Sequence, residues 1–159
     1  EDAGEVSANL YAKFLIFDFA TRYYYENITD SAKIDTSTFE ITEETWNDFI
    51  NYLHDRDFSY TTTAERQFEK LKTYLKENNY YESMTSEIND FAASLNAAKD
   101  NDLITYKEYI KIFLGAEIIS RFCYEDGNII YSLRHDNDLD KAMEILSKRS
   151  DYDKILSKP

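Results

Sequence analysis

The chain has 159 residues, which suits one domain, and its 43% hydrophobic and 16% aromatic content predicts a packed core. The formal net charge of −13 excludes a surface for nucleic acid or an anionic membrane, and 3 glycines are too few for a glycine-rich phosphate loop. Cys123 is the single cysteine, so no intrachain disulfide forms, and no apolar run approaches the about 20 residues of a membrane span.

The first predicted helix runs from Val6 to Tyr25. Spacings of four and three residues place one set of side chains on a common face. That set is Leu10, Phe14, Phe17, Thr21 and Tyr24. Leu15, Ile16 and Phe19 widen the apolar stripe, so we expect this helix to lie centrally in the core. A polar loop is predicted over residues 27–37, and a short extended segment over residues 39–41.

Two capped helices are predicted next. Thr42 begins a helix whose apolar side chains follow the i, i+3, i+4, i+7 pattern of a buried face. They are Trp46, Phe49, Ile50 and Leu53. Thr62 and Glu65 have the spacing of a capping box, and the helix that follows directs Phe68, Leu71 and Leu75 inward.

A helical hairpin is predicted in the second half of the chain. Its first helix begins at Tyr80, and its inward residues are Met84, Ile88, Phe91, Leu95 and Ala98. A turn at residues 100–102 leads into a long helix from Leu103 to Phe122, which we expect Gly127 to end. Because the turn is short, the two helices should lie antiparallel.

The end of the chain holds one more regular helix. Residues 128–133 are β-prone, and Asp138 is expected to cap the helix after them. Its inward side chains are predicted to be Leu139, Ala142, Met143 and Leu146, with Tyr152, Ile155 and Leu156 in a last turn. The sequence therefore predicts a mainly α fold: one helical-bundle-like domain over residues 1–159, with five to seven helices and at most short, minor strands.

Motifs for catalysis or metal binding are incomplete. The two histidines, His54 and His135, have no second ligand at zinc spacing and are expected on the surface. Aspartates at 136, 138 and 140 match half of an EF-hand loop, but Lys141 and Ser147 occupy its glycine and glutamate positions. No nucleophile–base motif occurs. We therefore expect no catalytic residue, no metal and no cofactor, and we expect Cys123 to be buried as a small apolar residue.

Consecutive tyrosines mark a candidate interface. A single helical stripe cannot bury Tyr23, Tyr24 and Tyr25 together, so at least one should reach the surface or contact another domain or subunit. Tyr11, Tyr23 and Tyr25 are the candidate interface residues. The alternative, half-buried rings whose hydroxyls reach solvent, stays open. Glu117 and Arg121 are expected to form a helix ion pair.

Several of these segments resemble the C-terminal helical region of bacterial carboxy-terminal processing (tail-specific) peptidases. The matching segments are residues 15–24, 39–53, 57–65, 117–127 and 138–146. Their order and spacing carry the resemblance, which covers nearly the whole chain.

The resemblance implies a part of a longer envelope protease, in which a PDZ domain and a Ser/Lys catalytic core lie upstream. The expected function is then a non-catalytic accessory domain of a serine peptidase in the periplasm or cell envelope. Its partner would be the protease core of the same polypeptide, with self-association into a homo-oligomer as a further expectation. A free-standing acidic helical module that binds proteins is the alternative.

Overall fold

The computed structural model describes residues 4–28, 34–148, 150, 152 and 156, of which 80% are helical. The helices are α1 (Gly4–Ala12), α2 (Leu15–Asn27), α3 (Glu43–Asp55), α4 (Thr63–Glu77), α5 (Thr85–Asp100), α6 (Asp102–Thr105), α7 (Lys107–Leu133) and α8 (Asn137–Ser147). A 3₁₀ turn at Glu82–Met84 precedes α5. Those residues contain no strand, so the mainly α prediction is confirmed. Residues 128–133 are helical, so their β-prone interpretation is wrong, whereas residues 39–41 are irregular and form no strand.

The first predicted helix is broken in two. Phe14 has a left-handed backbone (φ 59°) between α1 and α2, and its N–H donates to the carbonyl of Tyr11 (2.9 Å). Because the break rotates the second half, α2 buries Leu15, Ile16 and Phe19 instead of the predicted face. Phe14 is 66% exposed, so its assignment to the core is wrong. Of the predicted loop, residues 29–33 lie outside the described residues.

Local capping follows the sequence. Thr42 Oγ1 accepts from Thr45 N (3.1 Å), and the reciprocal capping box of Thr62 and Glu65 is present. Helices α3 and α4 both end in Schellman motifs, with Asp57 (φ 48°) and Asn79 (φ 61°) in the left-handed position. These ends fix where the chain turns on either side of α4.

Helix α7 reverses direction at Tyr124, where the backbone angles are φ 56° and ψ −158°. A straight helix would separate Gly115 from Tyr131 by about 24 Å. Instead, a β-carbon added to Gly115 would overlap the Tyr131 hydroxyl, and one added to Gly127 would overlap the Cβ of Cys123. The part of α7 after Tyr124 therefore folds back on the part before it. Gly127 lies buried in this close contact. The prediction that Gly127 ends the helix is therefore wrong.

The helical hairpin pairs different helices from those predicted. Helix α5 packs against α4 rather than α7, and the rings of Phe68 and Phe91 meet edge-on at 5.0 Å. Phe68 and Ile88 are buried, but Leu71 and Phe91 are half exposed, in contrast to the inward positions predicted for them.

The core lies where α2 packs along the first part of α7, with α1 and α3 against its sides. Its largest fully buried side chains in this region are Leu10, Ile16, Phe19, Phe49, Ile110, Leu114 and Ile118. The rings of Phe19, Phe49 and Tyr52 contact one another at centroid distances between 5.0 and 6.5 Å. The predicted inward face of α3 is thus confirmed at Trp46, Phe49 and Leu53.

The last helix differs from its prediction in two respects. Its N-cap is Asp136, whose carboxylate accepts from the backbone N–H groups of Asp138 and Leu139 at 2.9 and 3.0 Å. Met143 and Leu146 are 61% and 64% exposed rather than buried. The closing turn is described only at Tyr152 and Leu156, and Ile155 lies outside the described residues.

Candidate interface on helices α1 and α2

Exposed aromatic side chains follow the outer side of α1 and α2. Tyr11, Phe14, Phe17 and Tyr25 are 43%, 66%, 51% and 70% exposed, and we call these four residues the aromatic stripe. Phe17 and Tyr25 are two helical repeats apart, and Tyr11 and Phe14 lie at the break between the helices. Because α2 buries its opposite face in the core, the stripe remains at the surface as a contact area of the kind that marks interfaces.

Arg121 of α7 holds the stripe in place. Its guanidinium group donates to Thr21 Oγ1 (2.9 Å), to the Phe17 carbonyl (2.8 Å) and to the Glu117 carboxylate (2.9 Å). It also lies 4.4 Å from the centroid of the Phe17 ring. The predicted pair of Glu117 and Arg121 is confirmed, and through Arg121 this pair also joins α7 to α2.

Tyr11 connects the stripe to α7. Its ring meets Phe113 edge-on at 5.5 Å. Burial raises the pKa of the Tyr11 hydroxyl, and the negative charge of Glu117 raises it further. This tyrosine therefore stays neutral at physiological pH and presents a polar hydroxyl beside an apolar ring, as interface tyrosines commonly do.

Tyr23 and Tyr25 lie on opposite sides of α2. Tyr25 contacts the ring of Tyr24 at 5.5 Å on the exposed side. Tyr23 is half-buried against the core, and its ring meets Phe122 at 6.5 Å. Burial raises the pKa of the Tyr23 hydroxyl, and a side-chain hydrogen bond with Thr45 offsets part of that rise. The three candidate tyrosines thus do not share one surface, and their role as an interface stays a prediction.

Tyr23 instead borders a polar groove between α2 and α3. The groove has a volume of about 420 Å³, and its lining includes Glu26, Glu44 and Asp48. Arg22 forms ion pairs with Asp48 and with Glu26. A groove with this acidic excess suits a cationic group rather than an apolar one.

The remaining sequence candidates do not assemble into a site. His54 is exposed, whereas His135 is partly buried, 3.9 Å from the Glu40 carboxylate, so its predicted place on the surface is wrong. Cys123 is half-buried. In the described part of the chain, no three His, Cys, Asp or Glu side chains are arranged to hold a metal ion. None of the helices described has the length and apolar character that crossing a membrane requires.

Sequence reasoning missed Phe14 and Phe17 as surface residues. The spacing of apolar residues identified both apolar faces of α2, but nothing in the sequence indicated which face the core would cover. The three consecutive tyrosines required at least one exposed ring, and Tyr25, at 70% exposure, is one.

Comparison with known proteins gives a family. A search of curated proteins and a search of solved structures returned no match. The sequence profile of the family described as "Probable PDZ-protease, C-terminal helical domain" matches residues 6–146. This match spans α1 to the last turn of α8, and the chain therefore belongs to the family of C-terminal helical domains of probable PDZ-proteases.

Proposed function

We propose that this chain is a single non-catalytic accessory domain of a carboxy-terminal processing serine peptidase. The family match over residues 6–146 carries the proposal, because it assigns a protease-associated helical domain to almost the whole chain. The narrower assignment to tail-specific peptidases with a Ser/Lys core in the periplasm or cell envelope rests on the resemblance of the five segments. In this proposal the catalytic residues lie outside the chain.

The partner of the domain is the protease core of the same polypeptide, and the aromatic stripe is the surface that contacts it. Four large aromatic side chains at 43% to 70% exposure would lose water on docking. Arg121 supports this contact because it fixes the backbone and the ring of Phe17 before a partner arrives. A surface that is already ordered has less conformational entropy to lose on binding.

The parent protease tests the proposal. Phe14→Glu and Tyr25→Glu place a charge in the proposed contact, whereas Tyr80→Glu places one on an exposed aromatic residue (56%) elsewhere. Since a buried aromatic hot spot contributes about 2 kcal/mol or more, the first two should lower the cleavage rate of a tail-tagged substrate by about tenfold or more. The third should leave that rate unchanged.

The same substitutions are measured in the isolated chain. There the thermal stability should change little for all three, because none of these rings is buried. Wild-type cleavage by the Phe14 and Tyr25 variants of the parent would contradict the proposed contact. Cleavage of an unfolded substrate by the purified 159-residue chain itself would contradict its accessory role.

A free-standing acidic binding module is the second candidate, and the groove beside Tyr23 favours it. Glu26, Glu44 and Asp48 place three carboxylates there against the single guanidinium group of Arg22, and this acidic excess suits a basic segment of a partner protein. The length of the polypeptide in the source cell separates the two candidates. A native polypeptide of several hundred residues with a Ser/Lys core before Glu1 supports the protease domain, and a native polypeptide of 159 residues supports the module.

A further inference from the structure

The antiparallel pair α4–α5 carries a second apolar surface. Side chains at spacings of four and three residues form its seam, as in a coiled coil. They are Phe68, Leu71 and Leu75 on α4, Met84 in the 3₁₀ turn, and Ile88, Phe91 and Leu95 on α5. Phe68 and Ile88 are 7% and 5% exposed, but Leu71 and Phe91 are 50% and 52% exposed. Seam residues this exposed indicate that two helices alone do not complete the bundle.

The two sides of the seam differ in chemistry. One side has a groove of about 370 Å³ whose lining is mostly polar and also includes Ala92 and the seam residues Phe68 and Leu95. Ion pairs of Lys99 with Glu65 and of Lys72 with Glu69, both at 2.7 Å, lie on this side.

None of the exposed apolar residues of the pair lines that groove. They are Leu71, Tyr74, Met84 and Phe91, and we call them the hairpin face. The hairpin face shares no residue with the aromatic stripe, so a contact there is independent of docking to a protease core.

We propose that the hairpin face binds a second copy of this chain and completes an antiparallel four-helix bundle. A two-fold axis parallel to the helices places α4 of one copy over α5 of the other. The apolar residues of the two faces then meet, and every neighbouring pair of helices is antiparallel. Each copy covers the same surface on its partner, so the assembly closes as a dimer.

Charge identifies the occupant as a second copy. A chain with a net charge of −13 repels itself unless opposite charges meet at the contact. Helix α4 has four basic and three acidic side chains, whereas α5 has one basic and three acidic ones.

The Phe68–Phe91 contact also sets the axial register of α4 relative to α5, because it places these two residues at the same height along the pair. Because the helices are antiparallel, Lys70 lies within about one residue of the level of Asp90. Both side chains are exposed beside the hairpin face. In the two-fold dimer, Lys70 of each copy lies next to Asp90 of the other.

Charge reversal gives a sharp test. Lys70→Asp and Asp90→Lys each place like charges at both contacts of the dimer. Sedimentation equilibrium of the 159-residue chain should show a reversible dimer for the wild type, and each variant alone should dimerise about tenfold more weakly. An equimolar mixture of the two variants should dimerise as strongly as the wild type, because both contacts then join opposite charges. Circular dichroism checks that each variant stays folded.

A second pair of variants tests the apolar contact. Leu71→Glu should abolish the dimer, whereas Tyr25→Glu, on the aromatic stripe, should leave it intact. A wild-type chain that remains monomeric over about a hundredfold range of concentration overturns the proposal. So does a dimer that Tyr25→Glu disrupts and Leu71→Glu does not. A mixture of the charge variants that dimerises no better than either one alone overturns the arrangement of α4 over α5.

Discussion

Replacing Arg121 by alanine tests the contact between α2 and α7. The Arg121 side chain is 14% exposed, and its guanidinium group donates two hydrogen bonds across the helices, to Thr21 and to the carbonyl of Phe17. Bonds to a charged donor contribute about 1.5–3 kcal/mol when buried, and we use about 1 kcal/mol for each here because Phe17 lies at the surface. The cation–π contact with Phe17 adds about 0.5–1 kcal/mol.

Loss of these interactions, together with a Glu117 carboxylate left unpaired, lowers the free energy of unfolding by about 3 kcal/mol. For a chain of this length each kcal/mol corresponds to about 2–4 °C, so Tm should fall by about 6–12 °C. The assay is thermal unfolding followed by circular dichroism. Arg121→Lys keeps the charge but cannot span the three acceptors, so it should recover only part of the loss.

Lys148→Ala is the matched control. It removes one positive charge as well, but Lys148 is 56% exposed and pairs with Glu144, which is itself largely exposed. Its Tm should equal that of the wild type at moderate salt. If Arg121→Ala lowers Tm no more than Lys148→Ala does, Arg121 does not join the two helices.

Four further predictions follow from burial and backbone geometry. Phe19→Ala should lower the free energy of unfolding by about 3–5 kcal/mol, whereas Phe14→Ala should change it by less than about 1 kcal/mol; equal losses in urea titrations would contradict the exposed position of Phe14. Tyr124→Gly should raise the free energy of unfolding by about 1 kcal/mol or more, because only glycine adopts φ 56° and ψ −158° without strain. A lower urea midpoint would argue against the reversal at Tyr124. Gly115→Ala should lower the free energy of unfolding by about 1–3 kcal/mol, since the added methyl group meets the buried phenol of Tyr131. An unchanged Tm would be inconsistent with the close contact between Gly115 and Tyr131. Asp136→Ala should remove a helix cap and lower it by about 1 kcal/mol, while millimolar calcium leaves Tm unchanged; a calcium shift that depends on this residue would reveal a metal site.

The parts of the fold that depend on neighbouring residues could be predicted from sequence. The caps at Thr42, Thr62 and Glu65 involve groups within three residues of one another, so their signals survive in any tertiary context. The Glu117–Arg121 pair is equally local. Its contacts with Thr21 and Phe17 join residues about 100 positions apart, and nothing in either segment predicts them.

The helix break at Phe14 and the reversal at Tyr124 could not be predicted because the residues there are unusual for their conformation. Phe14 and Tyr124 both have positive φ, a region that favours glycine, and neither has a glycine or proline beside it. The sequence directed attention to Gly127 instead, three residues beyond the reversal. Glycine there serves the close approach of two helical segments, which is a tertiary requirement.

The candidate interface was predicted in part for a related reason. At least one of the three consecutive tyrosines had to lie outside the core, because a helix cannot bury three consecutive side chains on one face, and the structure shows that Tyr25 is one. Phe14 and Phe17 have the same spacing as buried residues, and burial is decided by where α7 packs. Periodicity alone cannot distinguish a face covered by the chain itself from a face available to a partner.

Residues 59 and 60, just before α4, form hydrogen bonds that link the α4–α5 pair, which carries the hairpin face, to the helix break beside the aromatic stripe. The carbonyls of Ser59 and Tyr60 accept hydrogen bonds from Lys13 and Lys99, and the Tyr60 hydroxyl donates to Asp102. These bonds hold the start of α4 and the end of α5 together at one end of the pair, which we call its base. With 15 residues, α4 extends about 22 Å from that base, and a rotation of about 10° there moves its far end by about 4 Å. Lys13 directly precedes Phe14 in the break between α1 and α2. A rotation of the pair would therefore also displace Ser59, whose carbonyl accepts from Lys13, the residue next to Phe14 of the aromatic stripe.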